Sequence, residues 1–287
     1  MATAGEASDP LTSAERKAAA ARARCAHEAS RAERHERLAR ESASPFLRDA
    51  HLRIAAVHRS TAACHRTAAE LQDAFADRLM AWARRPGSPR PLFMTGVAKA
   101  CGGSGAALTL VGAEFADLAL AASDEPSRAA QELEFLLGEG PARDATSTAG
   151  PVTATGEALA RRWPGYGPAV GELGIAEVAA VPLSLDGSCV GALTVYDPAP
   201  GAADTSAFAE IAEALTRSVI LGPAGVADLC DGIDWRARVH QAAGMVSVQL
   251  DCPVADALEL IRAHAFGEGV PAHQVAERIV EGELRLG

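Results

Sequence analysis

Residues 177–196 read EVAAVPLSLDGSCVGALTVY, and this stretch decides the fold. Two apolar runs, Glu177 to Leu185 and Ser188 to Tyr196, flank Asp186-Gly187, and an Asp-Gly pair supplies the positive φ angles that a tight hairpin turn needs. Upstream, Ala107 to Val111 and Phe115 to Ala121 are apolar β-capable runs around Gly112-Ala113-Glu114, and Pro151 to Ala154 forms a further short strand. Between them, Ser123 or Asp124 caps a helix with Pro126 in its first turn, which runs to about Leu137 and stops at Gly138-Glu139-Gly140-Pro141. A small helix ends at Trp163-Pro164-Gly165, and Asp204 or Thr205 caps a closing helix to about Leu221. Strands interleaved with helices, and helices at both ends, predict an α+β fold in which an antiparallel sheet is covered by helices.

The N-terminal part reads as helix from Thr12 to about Arg84. Thr12 and Glu15 have capping-box spacing, and residues 14–41 are almost entirely alanine, arginine and glutamate. With so little apolar face this segment is expected to be a solvated helix, interrupted at Ser44-Pro45. Beyond it HLRIAAV, HRSTAAC and HRTAAEL follow one another from His51, His58 and His65, a period of seven. Leu47, Ala50, Ile54, Val57, Thr61, Cys64, Ala68, Leu71, Phe75, Leu79 and Trp82 are spaced by threes and fours throughout, the signature of a coiled-coil seam. Ile54, Val57, Cys64, Leu71 and Phe75 are the residues expected to join two copies in a homodimer. The three histidines fall beside that seam, about 10 Å apart along the axis, too far to share a metal within one helix. They read as seam-flanking polar residues, with a pH-sensitive or metal-bridging interface as the alternative.

Past Gly222-Pro223, Ile233 to Leu250 has an amphipathic pattern with Asp234 available as N-cap, and Val254 to Phe266 makes a second helix. Pro271 to Leu284 makes a third, with proline in its first turn. Leu258, Ile261, Ala265, Val275 and Ile279 supply apolar faces for a three-helix bundle. Three regions follow: a helical, coiled-coil region over 1–66, an α+β domain over 67–222 and the bundle over 223–287.

Composition narrows the function classes. The chain has 287 residues, 48% of them hydrophobic, and no apolar run approaches the roughly 20 residues of a membrane span. The N-terminus has no secretory pattern, so the expected location is the cytoplasm. Six cysteines without a Cys-x-x-Cys pair read as small buried hydrophobes rather than a disulfide or zinc framework. Residues 91–222 carry no histidine, which removes serine- or cysteine-histidine catalysis and histidine-ligated haem there. Cys101-Gly102-Gly103-Ser104-Gly105 is followed by a strand, not by the helix a phosphate loop requires. Glu114, Asp117, Glu132, Glu134 and Glu139 are expected at turns and on solvated helix faces. No catalytic residue, metal site or cofactor is predicted, and the chain does not read as an enzyme.

The succession LTLVGAEFADLALAAS, LGEGP, GPVTA, the Trp163-Pro164 break and AEVAAVPLSLDGSCVGALTVYD resembles a GAF domain, a sensory α/β module, of the type common in actinobacteria. That resemblance covers roughly residues 67–222. It implies a ligand pocket over the sheet for an unknown small-molecule or protein signal, with Phe115, Trp163, Tyr166 and Tyr196 as its lining. Core packing explains the same four aromatics equally well. The asparagine-lysine motif of cyclic-nucleotide-binding GAF domains is absent, since the chain has no asparagine.

VHQAAGMVSVQL from Val239, DALELIRAHAF from Asp256 and QVAERIV from Gln274 resemble an ANTAR domain, an RNA-binding antiterminator module. The resemblance implies a dimer that binds paired stem-loops in a nascent mRNA leader and prevents a terminator from forming. Matching the RNA-facing pattern are Arg238, Gln241, Gly244 and Met245 on the first helix and Arg262 on the second, with His264, His273 and Arg278 as accessories. Gly244 mid-helix costs about 1 kcal/mol relative to alanine, so either another helix or RNA approaches it closely. Ala243, Pro253, Val270 and Glu281-Gly282-Glu283 depart from the basic or capping residues common in that family. The last 65 residues hold 5 basic and 10 acidic side chains, an excess that repels phosphates at long range. Two readings compete: an RNA-binding sensor-regulator, and a dimeric ligand-binding or scaffold protein whose bundle contacts protein instead.

Overall fold

The computed structural model describes residues 10–85, 87, 90–112, 117–185, 187–201, 206–220 and 233–287. Phe115, Asp186, Asp204 and Thr205, all named above, lie outside the described residues, as do one of the six cysteines, Cys230, the turn at 113–114 and the break at 222–223. The hairpin forms as its sequence demands. β4 (Glu177–Leu185) and β5 (Ser188–Tyr196) pair antiparallel from Leu185 opposite Ser188 to Val178 opposite Tyr196, and Gly187 in the turn has φ 85°. β1 (Gly105–Val111) pairs with the other edge of β5, β2 (Asp117–Ala122) with β1, and β3 (Val152–Thr155) with β4. The result is a five-stranded antiparallel sheet of order β2-β1-β5-β4-β3.

Successive strand residues point to opposite faces, and the sheet is apolar on both. Leu108, Leu110, Leu183, Leu193 and Val195 face one helical layer, while Ala107, Val178, Ala180, Ala192 and Tyr196 face the other. The second layer contains α4 (Glu125–Leu137), α5 (Pro141–Thr148), α6 (Glu157–Arg162) and α7 (Tyr166–Glu172). α4 starts where expected: the Asp124 carboxylate accepts the Ser127 N–H at 2.8 Å, and Gly138 at φ 68° ends the helix. The first layer is α3 (Phe93–Ala100), α8 (Ser206–Ala214) and the C-terminal half of α2 (Pro45–Ala83), with a π-helical segment Leu215–Ile220 after α8.

The N-terminal region differs from expectation. α1 (Pro10–Glu41) is not solvated all round: it packs antiparallel on α2. It begins at Pro10, so Thr12 and Glu15 lie within its first turns instead of capping it. Ala14, Ala18, Ala21, Ala32 and Ala39 of α1 are buried, as are Ala55, Ala62, Ala69 and Ala76 of α2, with Ala14 packed beside Ala76 and Ala21 beside Ala69. Alanine adds little hydrophobicity to a pattern yet lets two helices approach closely, so this contact is faint in sequence. The histidine stripe belongs to this intrachain seam.

α2 therefore carries two apolar stripes, and the larger residues form the second. Cys64 packs with Ala21 and Ala214, Leu71 enters the sheet core, and Phe75 meets Phe93 edge-on at 5.7 Å. These three expected dimer residues are covered within the chain, because its own sheet layer and α8 occupy that half of the stripe. Ile54 and Val57 remain 40% and 64% exposed, beside exposed Phe46, Leu47 and Leu52.

At the C-terminus α9 (Ile233–Leu250), α10 (Val254–Glu268) and α11 (Ala272–Val280) surround a core that includes Val239, Val246, Ile261, Val275 and Ile279. α9 begins at Ile233, which puts Asp234 inside the helix, and Pro271 occupies the cap position of α11. Phe135 of α4 belongs to the same core, so the bundle is seated on the sheet domain. Among the described residues no helix is long and apolar enough to cross a membrane, and no disulfide links the described cysteines.

Candidate functional site

Two regions collect the residues singled out by sequence. The first is the space between the sheet and α4–α7. Trp163, Tyr166 and Tyr196 are all buried there in one cluster, with the Trp163 and Tyr166 rings edge-to-face at 5.9 Å. The Trp163 indole N–H donates to Asp144 at 3.3 Å, and the Arg162 guanidinium reaches the same carboxylate at 2.9 Å.

Behind the aromatics lies a polar floor that sequence reading missed. The Thr109 hydroxyl donates to the Gln131 amide oxygen, and the Gln131 amide N–H donates to the Tyr196 hydroxyl at 3.3 Å. Glu134, expected on a solvated face, is 5% exposed, and its Oε1 accepts the Arg143 N–H at 2.7 Å. Glu139 is engaged as well, accepting the Gly165 and Tyr166 N–H groups at 2.6 and 2.9 Å and so fixing the start of α7. Burial first, then the nearby Glu134 charge, pushes the Tyr196 hydroxyl pKa up; burial and the neighbouring Tyr196 do the same for Tyr166. Both stay protonated and neutral. Ser127, Gln131 and Glu134 share the buried face of α4 with Ala130 and Phe135, a spacing that marks them as inward-pointing once that face is known. A cavity beside Thr109, Gln131, Glu134 and Thr146 measures about 10 Å³, the room of roughly one water molecule.

The second region is the bundle. Arg238, Gln241 and Met245 are exposed on α9, and with Val248 they step three, four, three along one face. Met245, 42% exposed, is not a core residue, whereas Val246 beside it is buried. Gly244 is half-buried, and a Cβ there would meet nothing within 4 Å, so no helix among the described residues accounts for the glycine.

Arg262 is placed differently. Its side chain is 7% exposed, Nη1 donates to Glu259 at 2.7 Å, and the guanidinium lies 4.3 Å from the centroid of the Phe135 ring. His264 and Arg278 both reach Glu268, at 3.1 and 2.5 Å, and the Arg278 hydrogen bond holds that carboxyl below its ordinary range. His273 lies at the junction with α4. The structure thus brings Arg238, Gln241, Gly244 and Met245 onto one open face, pairs His264 with Arg278 through Glu268, and covers Arg262.

Among the described residues no group of three or more His, Cys, Asp or Glu is arranged to hold a metal ion. Burial pushes the Cys101 thiol up to about 12, which keeps it protonated.

The histidine seam between α1 and α2 is expected to respond to pH. His35 Nδ1 lies 3.1 Å from His51 Nδ1, its ring stacks at 5.7 Å on His58, and His58 Nδ1 lies 2.6 Å from Glu28. Desolvation first, then His51, His58, Arg34 and Arg31, lowers the His35 pKa; desolvation and then Arg24 lower that of His65. A histidine with a depressed folded pKa binds fewer protons folded than unfolded. Its stabilisation is full above the unfolded pKa of about 6.5 and is lost as pH falls through the folded value. The helical hairpin is expected to melt at lower temperature at pH 5 than at pH 7.5, and His35→Gln is expected to flatten that difference. Circular dichroism melts of both proteins check it, and parallel pH profiles would exclude His35 as the cause.

A GAF domain model matches residues 59–221 of the chain. No curated protein and no solved structure gives a significant match.

Proposed function

The chain belongs to the GAF domain family, and from that premise we propose a cytoplasmic sensor-regulator. A signal received by the GAF domain changes how the C-terminal bundle, read as an ANTAR module, presents itself to stem-loops of a nascent mRNA leader and so controls termination. The carrying observation is the open face of α9. Arg238 supplies a cation for phosphate, Gln241 an amide for base edges and Met245 an apolar surface, around a glycine that leaves room for a close approach. The mechanism is binding, and no bond is made or broken. A second copy joins through the N-terminal half of α2, where Phe46, Leu47, Ile54 and Val57 are exposed.

A second reading has its own support. Arg262 is sequestered and the bundle is acidic, as suits a dimeric scaffold whose bundle contacts protein. Titration of a two-stem-loop leader RNA at several salt concentrations separates the two. The regulator requires binding that tightens as salt falls, with Arg238→Ala weakening it about tenfold and reducing the salt slope by about one. Feeble binding, equal for every RNA and unchanged in Arg238→Ala, supports the scaffold.

A further inference from the structure

A groove of about 660 Å³ separates α4 and α7 of the GAF domain from α10 and α11 of the bundle. That volume lies within the range of small-molecule sites. We propose that this groove binds a small apolar molecule carrying one positive charge.

Its body would rest on Leu133, Leu173 and Val270, with Phe266 as the outer wall. Phe266 is 59% exposed, an unusual position for a large aromatic, and its ring face offers a cation–π contact. The ionisable groups around the groove are unequal: Glu125, Glu132 and Glu172 against the guanidinium of Arg128 and the imidazole of His273. Arg128 lies 3.7 Å from Glu125, and Glu132 accepts the Ala272 N–H at 2.8 Å. Glu172 is exposed at the mouth. The domain behind them, residues 91–222, carries 16 acidic and 6 basic side chains, and a cleft in such a surface concentrates cations and repels anions. Apolar floor, exposed aromatic and excess carboxylate therefore select the same ligand class.

The walls come from both halves of the molecule. An occupied groove ties the bundle to α4, so under the reading proposed above the ligand sets how the bundle presents its α9 face to RNA. The binding claim itself does not depend on RNA.

Tetraphenylphosphonium and tetraphenylborate are probes of nearly equal size and opposite charge. Calorimetry with the full chain is expected to show one site for tetraphenylphosphonium, at least tenfold tighter than for tetraphenylborate. Glu172→Gln, a surface change that leaves packing intact, should weaken it about threefold, and Phe266→Ala by more. Equal or tighter binding of tetraphenylborate, several phosphonium ions per chain, or indifference to both substitutions would overturn the assignment. None of these results bears on the RNA titration, so the two proposals fail separately.

Discussion

Gly191→Val is expected to destabilise the fold by about 3 kcal/mol, through overpacking where nothing can move aside. Gly191 lies in the central strand β5, opposite Leu110 of β1 on one side and Leu183 of β4 on the other. A Cβ at this position would collide with the Thr109 carbonyl oxygen and come within 3.1 Å of the Leu110 Cα. Both are backbone atoms of a strand paired on its two edges, so relief requires shifting the ladder. Thr109 also donates to Gln131, so the polar floor beneath Tyr196 would shift with it. Gly171→Ala is the matched control. A Cβ on that α7 residue meets nothing within 4 Å, and removing a helical glycine should stabilise by up to about 1 kcal/mol. Urea unfolding followed by circular dichroism compares the two, and an unchanged midpoint for Gly191→Val would mean that β1 and β5 are not paired in this register.

What the sequence disclosed follows from how local each signal is. The hairpin was legible because alternating apolar runs and Asp186-Gly187 specify it within twenty residues. α4 was legible because Asp124, Pro126 and Gly138 mark both of its ends. α3, α5 and α7 were not: each spans eight residues or fewer, and none has a side-chain cap hydrogen bond. They are held by the sheet they cover, which local propensity does not report. The α1–α2 seam escaped because alanines at heptad spacing carry almost no hydrophobic contrast in a segment rich in alanine. At the interior site the large aromatics are visible in the sequence, but Glu134 reads as solvated because its type outweighs its spacing, and Gln131 carries no signal of its own. The burial of Arg262 depends on Phe135, 127 residues away in the chain, and no local pattern could register that contact.

Under the proposed RNA-binding reading, Phe135→Ala is expected to tighten the binding of two-stem-loop RNA about tenfold, and the reason lies in that contact. Phe135 is 2% exposed and packs in the bundle core although α4 carries it. A desolvated cation–π contact of the kind Arg262 makes with it is worth about 2 kcal/mol. If RNA needs the Arg262 guanidinium, a docked state favoured by about 2 kcal/mol weakens apparent affinity about thirtyfold. Removing the ring returns most of that factor. The same substitution leaves a cavity and should lower stability by about 3 kcal/mol, so binding is measured at a temperature where circular dichroism shows the variant folded. Phe135→Ala combined with Arg262→Ala separates release of the arginine from general loosening, because the double variant should lose the gain and bind no better than the parent. Tightening that persists in the double variant would assign the effect to the bundle surface at large. No tightening at all, in a preparation where Arg238→Ala still weakens binding, would show that RNA is held by the open face of α9 without Arg262.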